Sequence, residues 1–177
     1  MPELIEVLVT GQYLNLKLKN KFISDINIIG GRYKKHKNSL NELKILIDNL
    51  PSKIINVNSK GKFMWFELQN NKNKFYLLNT FGMSGKWGFK KEKHSNVEFI
   101  IKSRSKTYSL YFTDQRNFGT ITFGNITKLN NKLNCLGPDL LKEKISFNIL
   151  KERIRNYLEI SEKRKNNKII KVLMSQS

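Results

Sequence analysis

The chain has 177 residues, 39% of them hydrophobic and 11% aromatic, with 33 Lys and Arg against 14 Asp and Glu, a formal net charge of +19. That much apolar material excludes wholesale disorder, and the length suits one domain or one and a fraction; the charge predicts attraction to a polyanion, nucleic acid first. A single cysteine, Cys135, excludes a disulfide framework and a cysteine-based zinc site, and no apolar run or basic-then-apolar leader points to a membrane, so a soluble intracellular protein is expected.

In chain order, residues from Pro2 to about Asn20 read as a helix, with Leu4, Val7, Leu8 and Tyr13 loosely at helical spacing and Gly11 a weak point. Phe22 to Ile29 alternates as a strand and ends in a Gly30-Gly31 turn. Ser39 to Leu50 is a short amphipathic helix stopped by Pro51. Seven short strands follow: Lys53–Asn58, Lys62–Leu68, Lys74–Asn79, Lys86–Phe89, Asn96–Lys102, Thr107–Phe112 and Gly119–Phe123. Short strands at this spacing, with polar turns between them, predict a mainly β, α+β body: a two-layer antiparallel sandwich flanked by helices. Helical patterning returns at Leu129 to Leu136, breaks at Gly137-Pro138 and resumes from Ile145 to Leu158. Ser161 to Lys168 reads as a charged linker, and a further helix begins at Lys168. The boundaries expected are a domain over 1–140 and a helical segment over 141–177.

The chemistry concentrates at the start, Met1-Pro2-Glu3-Leu4-Ile5-Glu6. With Met1 removed, Pro2 presents a free secondary amine that titrates near pH ~8, so a useful fraction is neutral and nucleophilic at physiological pH. Such an amine can form a Schiff base with a sugar carbon. Glu3 and Glu6, three apart on a helix, place carboxylates beside it as candidate general acids. Taken alone, the hexapeptide reads first as ordinary helix-start chemistry, proline first and acids in the first turn, and the rest of the chain decides.

Four further segments carry candidate residues: Lys60-Gly61-Lys62-Phe63-Met64-Trp65 at a strand start, Asn79-Thr80-Phe81-Gly82-Met83-Ser84-Gly85 as a glycine-flanked turn with an apolar tip, Glu92-Lys93-His94 before a strand, and Thr113-Asp114-Gln115-Arg116-Asn117-Phe118-Gly119 as a turn showing an arginine and an aromatic. With the N-terminus and Leu136-Gly137-Pro138-Asp139, in this order, they closely resemble the bacterial formamidopyrimidine-DNA glycosylase and endonuclease VIII family. The wording looks nearest to the endonuclease VIII-like proteins of large DNA viruses, and the likeness runs from Pro2 to Gln176.

The resemblance implies a base-excision-repair DNA glycosylase with AP lyase activity on oxidised bases in double-stranded DNA, working without metal or cofactor. The Pro2 amine attacks C1′ of a flipped nucleotide, Glu3 protonates the opening sugar, Glu6 orients the N-terminus, and Lys62 contacts the neighbouring phosphate and helps the base leave. Lys60, two residues away on the same side of the strand, is the runner-up to Lys62. Met83, Arg116 and Phe118 fill the vacated stack, because flipping a base leaves a void that apolar or planar side chains must occupy. The alternative for Met83 and Phe118 is plain core packing. His94 matches a backbone-contacting position, although Asn96 replaces the usual following histidine; Asp114 caps its turn and orients Arg116; Arg32 adds phosphate attraction.

Two departures stand out. Ile5 replaces a common second proline. Family members also continue past Leu173-Met174-Ser175-Gln176 into a helix-two-turn-helix module and usually a zinc finger. The segment after 141 is then the incomplete start of that module, in a fragment, a split-gene product acting with a second polypeptide that supplies the missing lobe, or a decayed copy. A catalytically silent DNA-binding module is the rival reading; the intact Pro2-Glu3 start argues against an RNA- or ribosome-associated β-domain.

Overall fold

The computed structural model describes residues 2–35, 43–44, 46–71, 73–139, 142, 144 and 146–159. The expected linker and helix after Ser161 lie outside these, as do residues 39–42 and 45 of the helix expected over Ser39–Leu50; residues 43, 44, 46 and 47 of that stretch are helical, with Leu43 and Leu46 fully buried. The chain divides into two compact units, 1–130 and 131–177. The second contains a helix over Phe147–Glu159 (α4).

In the first unit, a helix over Leu4–Leu18 (α1) precedes a strand over Phe22–Ile28 (β1) and a short helix over Gly31–Lys35 (α2). Seven strands follow: β2 (Ser52–Lys60), β3 (Phe63–Asn70), β4 (Asn73–Thr80), β5 (Lys86–Gly88), β6 (Ser95–Lys102), β7 (Thr107–Thr113) and β8 (Thr120–Gly124). A helix over Ile126–Asn134 (α3) then leads out of the unit. All seven pairings are antiparallel, in the order β5-β7-β6-β1-β2-β3-β4-β8.

This single hydrogen-bonded sheet is nearly cut in the middle. β1 and β2 share only the pairs Phe22–Lys53 and Ile23–Ser52. The halves on either side, β5-β7-β6-β1 and β2-β3-β4-β8, close over one another as two layers. Trp87 of β5 joins them: its ring lies 5.2 Å from Phe66 of the opposite half and 5.5 and 5.1 Å from Phe99 and Phe112 of its own. Its indole N–H donates to Asn79 Oδ1 of β4 at 3.0 Å, so the polar edge of the ring is satisfied as well. The mainly β, two-layer antiparallel architecture expected from strand spacing is the one observed.

Helix α1 packs on β2 and β3, and its buried stripe is Val7, Gly11, Leu14 and Leu18. Tyr13, expected on that stripe, is half exposed and meets Phe89 edge-on, while Ile5, Val9 and Leu16 face outward. Gly11 is buried in this interface, where a Cβ would stand 3.6 Å from Ser59 and 3.8 Å from the Met64 sulfur, ordinary contact. Farther along, Asn15 Oδ1 accepts from Val57 N at 2.9 Å beside the bulge at residues 54–56 of β2. The helix end is tied by reciprocal backbone bonds, Asn20 N to Ile54 O and Ile54 N to Lys21 O, both 2.8 Å. Gly30-Gly31, expected as a plain turn, opens α2, with Gly31 at φ 66°.

Replacing Trp87 by alanine removes contacts to three rings and a hydrogen bond between layers. It should destabilise the protein by about 3 kcal/mol or more, read as a lower urea midpoint at unchanged m-value.

Candidate active site

Antiparallel register gathers the candidate segments. Lys60 pairs with Phe63, Phe63 with Thr80 and Thr80 with Thr120, one row across four strands. Beyond that row lie the Gly61-Lys62 turn, the loop of residues 81–85 and the return from residues 114–119. In the other layer Thr113 pairs with both Lys86 and Ser95, with His94 just before β6. Thr113 leads into the loop that ends at Thr120, so both layers deliver their loops to the same end.

Helix α1 points its start there too. It runs antiparallel to β2, from the Ile54 contacts at its C-terminal end past Gly11 on Ser59. Glu3, its N-cap, reaches the β2–β3 turn, where its Oε2 lies 3.5 Å from Lys62 Nζ. The Glu3 side chain is 69% exposed, so this ion pair adds little stability; its content is the juxtaposition of an acid and an amine. Glu6 accepts a hydrogen bond from the Glu3 backbone amide at 2.7 Å, which satisfies a donor that a helix start leaves unpaired. Pro2 is partly buried at the head of this arrangement.

Lys60 and Lys62 do not share a strand face as expected. Lys60 is the last residue of β2, Gly61 turns the chain at φ 56°, and Lys62 belongs to the turn, so strand alternation does not relate them. Only Lys62 meets Glu3 among the ion pairs of the described residues.

Met83 and Phe118 are 43% and 60% exposed, which disposes of core packing for either. Arg116 is exposed beside them and donates from Nη1 to the Met83 sulfur at 3.4 Å. Beneath these tips the loops are held by Asp114, which is 1% exposed. Its Oδ1 accepts from the Ser84 hydroxyl and from Arg116 N at 3.2 Å, and its Oδ2 from Gly119 N at 2.7 Å. Ser84 Oγ also accepts from Arg116 N at 3.0 Å. The two loops touch backbone to backbone: Gly82 has φ 59°, and a Cβ on it would fall 2.5 Å from Gly119 N.

His94 is half-buried, and its carbonyl accepts from Asp114 N at 3.0 Å. Asn96 is buried and donates to the Asp114 carbonyl at 2.9 Å and to Asn117 Oδ1 at 3.0 Å, while its own carbonyl receives Ile29 N and Gly30 N. Arg32, on α2, starts from the same junction. The next residue, Tyr33, is 2% exposed and its hydroxyl has no hydrogen-bond partner among the described residues; burial pushes the phenol above its ordinary range.

Ser84, Asn96 and Asn117 are the residues that pattern reading missed. The turn made by Asp114 with the amide two residues on has a local signature, but a serine thirty residues away has none. Among the described residues the candidates therefore form two groups at one end of the sheet, an acid–amine group at the head of α1 and a projecting group on two clasped loops.

Residues 1–121 match the family model for the formamidopyrimidine-DNA glycosylase N-terminal domain. The chain is similar to the formamidopyrimidine-DNA glycosylase of Oceanobacillus iheyensis, 30% identical over 162 residues, covering 88% of this chain and 55% of that protein. It is also similar to that of the Wolbachia of Culex pipiens, 29% identical over 177 residues, covering 96% and 61%. The chain thus spans little more than half the length of these relatives, which are bacterial; nothing in them supports the expected nearness to viral proteins. In fold it is similar to the Lactococcus lactis enzyme bound non-covalently to DNA containing an AP site, with TM-score 0.70 and 23% identity over 87% of this chain and 57% of that one. The Thermus thermophilus protein gives TM-score 0.66 and 23% identity over 89% and 53%. This chain belongs to the formamidopyrimidine-DNA glycosylase family, and the sheet end just described lies in its N-terminal domain.

Proposed function

We propose that the chain acts on damaged double-stranded DNA as a base-excision-repair glycosylase with AP lyase activity (β,δ-elimination) on oxidised bases, using the amine of Pro2 once Met1 is removed. The observation that carries the reading is the Glu3–Lys62 pair at 3.5 Å, beside the N-terminal residue and at the sheet end where Met83, Arg116 and Phe118 project. The relatives' names and the Lactococcus lactis complex with AP-site DNA support the same substrate class.

In this reading the lone pair of the Pro2 nitrogen forms a bond to C1′ of the extruded nucleotide. The C1′–base bond breaks, and the base leaves with a proton supplied through Lys62. The attached nitrogen gives its N–H proton to the Glu3 carboxylate, its freed lone pair forms the C=N bond as C1′–O4′ opens, and Glu3 passes that proton on to O4′. The iminium acidifies the C2′ protons; loss of one expels the 3′ phosphate, and a second elimination expels the 5′ phosphate. Met83, Arg116 and Phe118 occupy the vacated stack, Arg116 facing the orphaned base. Lys60, Arg32 and the His94 turn contact phosphates. Glu6 keeps the first turn of α1 fixed so that Pro2 is aimed. The catalytic domain is taken as 1–140 and the segment from 141 as belonging to a helix-two-turn-helix module.

Borohydride reduction with an abasic-site duplex should trap a covalent adduct on protein whose N-terminus is verified as Pro2, and none on protein that retains Met1. Glu3→Gln should slow strand cleavage by about 100-fold or more. Lys62→Ala should impair release of an oxidised base more than cleavage of a pre-formed abasic site. Salt-sensitive binding with no adduct on verified Pro2 protein would assign the chain as a silent DNA-binding module.

Binding to duplex DNA should weaken by at least about tenfold between 50 and 200 mM salt, because exposed lysines displace counterions. Fluorescence anisotropy across a salt series measures the slope; a flat response removes the phosphate-contact part of the reading.

A further inference from the structure

We propose that Asp114 is a positioning residue that clasps the Met83 loop to the Arg116–Phe118 loop, so that the three side chains enter the duplex as one rigid wedge. The inference rests on the void-filling role given to those side chains above. It concerns how they are held, not whether Pro2 reacts.

The two loops are more than thirty residues apart in sequence, and both tips are exposed. The Asp114 carboxylate bonds to both: Ser84 from the first loop, Arg116 N and Gly119 N from its own. The Ser84 hydroxyl closes the clasp by accepting from Arg116 N. Every group facing the carboxylate is a donor, and among the described residues no lysine or arginine pairs with it. A carboxylate suits this site because an amide would turn its own N–H groups toward at least one of those donors. Its burial is costly unless all three partners are kept, so the geometry is held as a set.

Space reinforces the clasp. A Cβ on Gly119 would stand 2.9 Å from Asp114 Oδ2, and one on Gly82 would strike the Phe118–Gly119 backbone at 2.5 to 2.6 Å. At the exposed tips themselves, the side chains of the two loops meet in a 3.4 Å contact from Arg116 to the Met83 sulfur. Opening a base stack costs a few kcal/mol, and loops that yield separately cannot sustain that load. The clasp converts two compliant loops into one stiff element.

The test uses a duplex with a tetrahydrofuran abasic analogue opposite 2-aminopurine, whose fluorescence rises when it is unstacked. This site carries no aldehyde, so the readout is independent of Pro2 chemistry and of the trapping experiment above. At saturating wild-type protein the 2-aminopurine should brighten severalfold. Ser84→Ala and Asp114→Asn, each shown folded by circular dichroism and thermal unfolding, should lose about half or more of that amplitude even at saturation. Ser84→Thr, which keeps the hydroxyl, should restore it. If Asp114→Asn does not fold, the two Ser84 variants decide. Full brightening with folded Ser84→Ala, or none with the wild type, overturns the proposal.

Discussion

The row of backbone pairs from Lys60 through Phe63 and Thr80 to Thr120 is the constraint from which the rest of the candidate site follows. Antiparallel pairing leaves no latitude of a single residue here, because a slip would exchange the buried and outward faces of β3 and put Met64, Phe66 and Leu68 in water. The hydrophobic pattern of one strand therefore fixes where three loops emerge. Helix α1 obeys the same constraint at one remove: its bonds to Ile54 and Val57 set its height along β2, and that height brings Glu3 to Lys62.

Two kinds of charge operate at this end of the sheet. Glu3 and Lys62 meet at the surface, with side chains 69% and 21% exposed. Asp114 is sealed, and its charge is spread over backbone and hydroxyl donors, none of them a cation among the described residues. Removing any one donor leaves a carboxylate oxygen underserved in a poorly screened place, so the fold has more to lose there than at the Glu3–Lys62 pair. The large excess of lysine acts at longer range and bears on approach rather than on architecture.

All eight strands were legible as short runs set between polar turns, to within one or two residues at their ends. The capping of a nearby amide by Glu6 was legible as well, being local. What escaped notice was short or long-range. The five residues of α2 contain one buried side chain, Tyr33, and a single turn cannot display a period. Tyr13 looked like core by spacing, yet the stripe that packs on β2 runs through Val7, Gly11, Leu14 and Leu18, and Tyr13 lies beside it. The relation of Lys60 to Lys62 depended on where the turn falls, and Gly61 alone did not say whether the strand continued past it. The partnership of Ser84 with Asp114 has no sequence period at all; it exists only once β4, β7 and β8 are in register.

The contact between the Arg116 guanidinium and the Met83 thioether has an entropic consequence. Arginine and methionine are among the side chains with the most rotamer freedom to surrender, and immobilising one on association costs roughly 0.5–1.5 kcal/mol. Parked against each other at the tips of their loops, both have given up part of that freedom before any association. The surface is thus partly preorganised: less of the gross interaction energy of whatever docks there goes to ordering these two side chains.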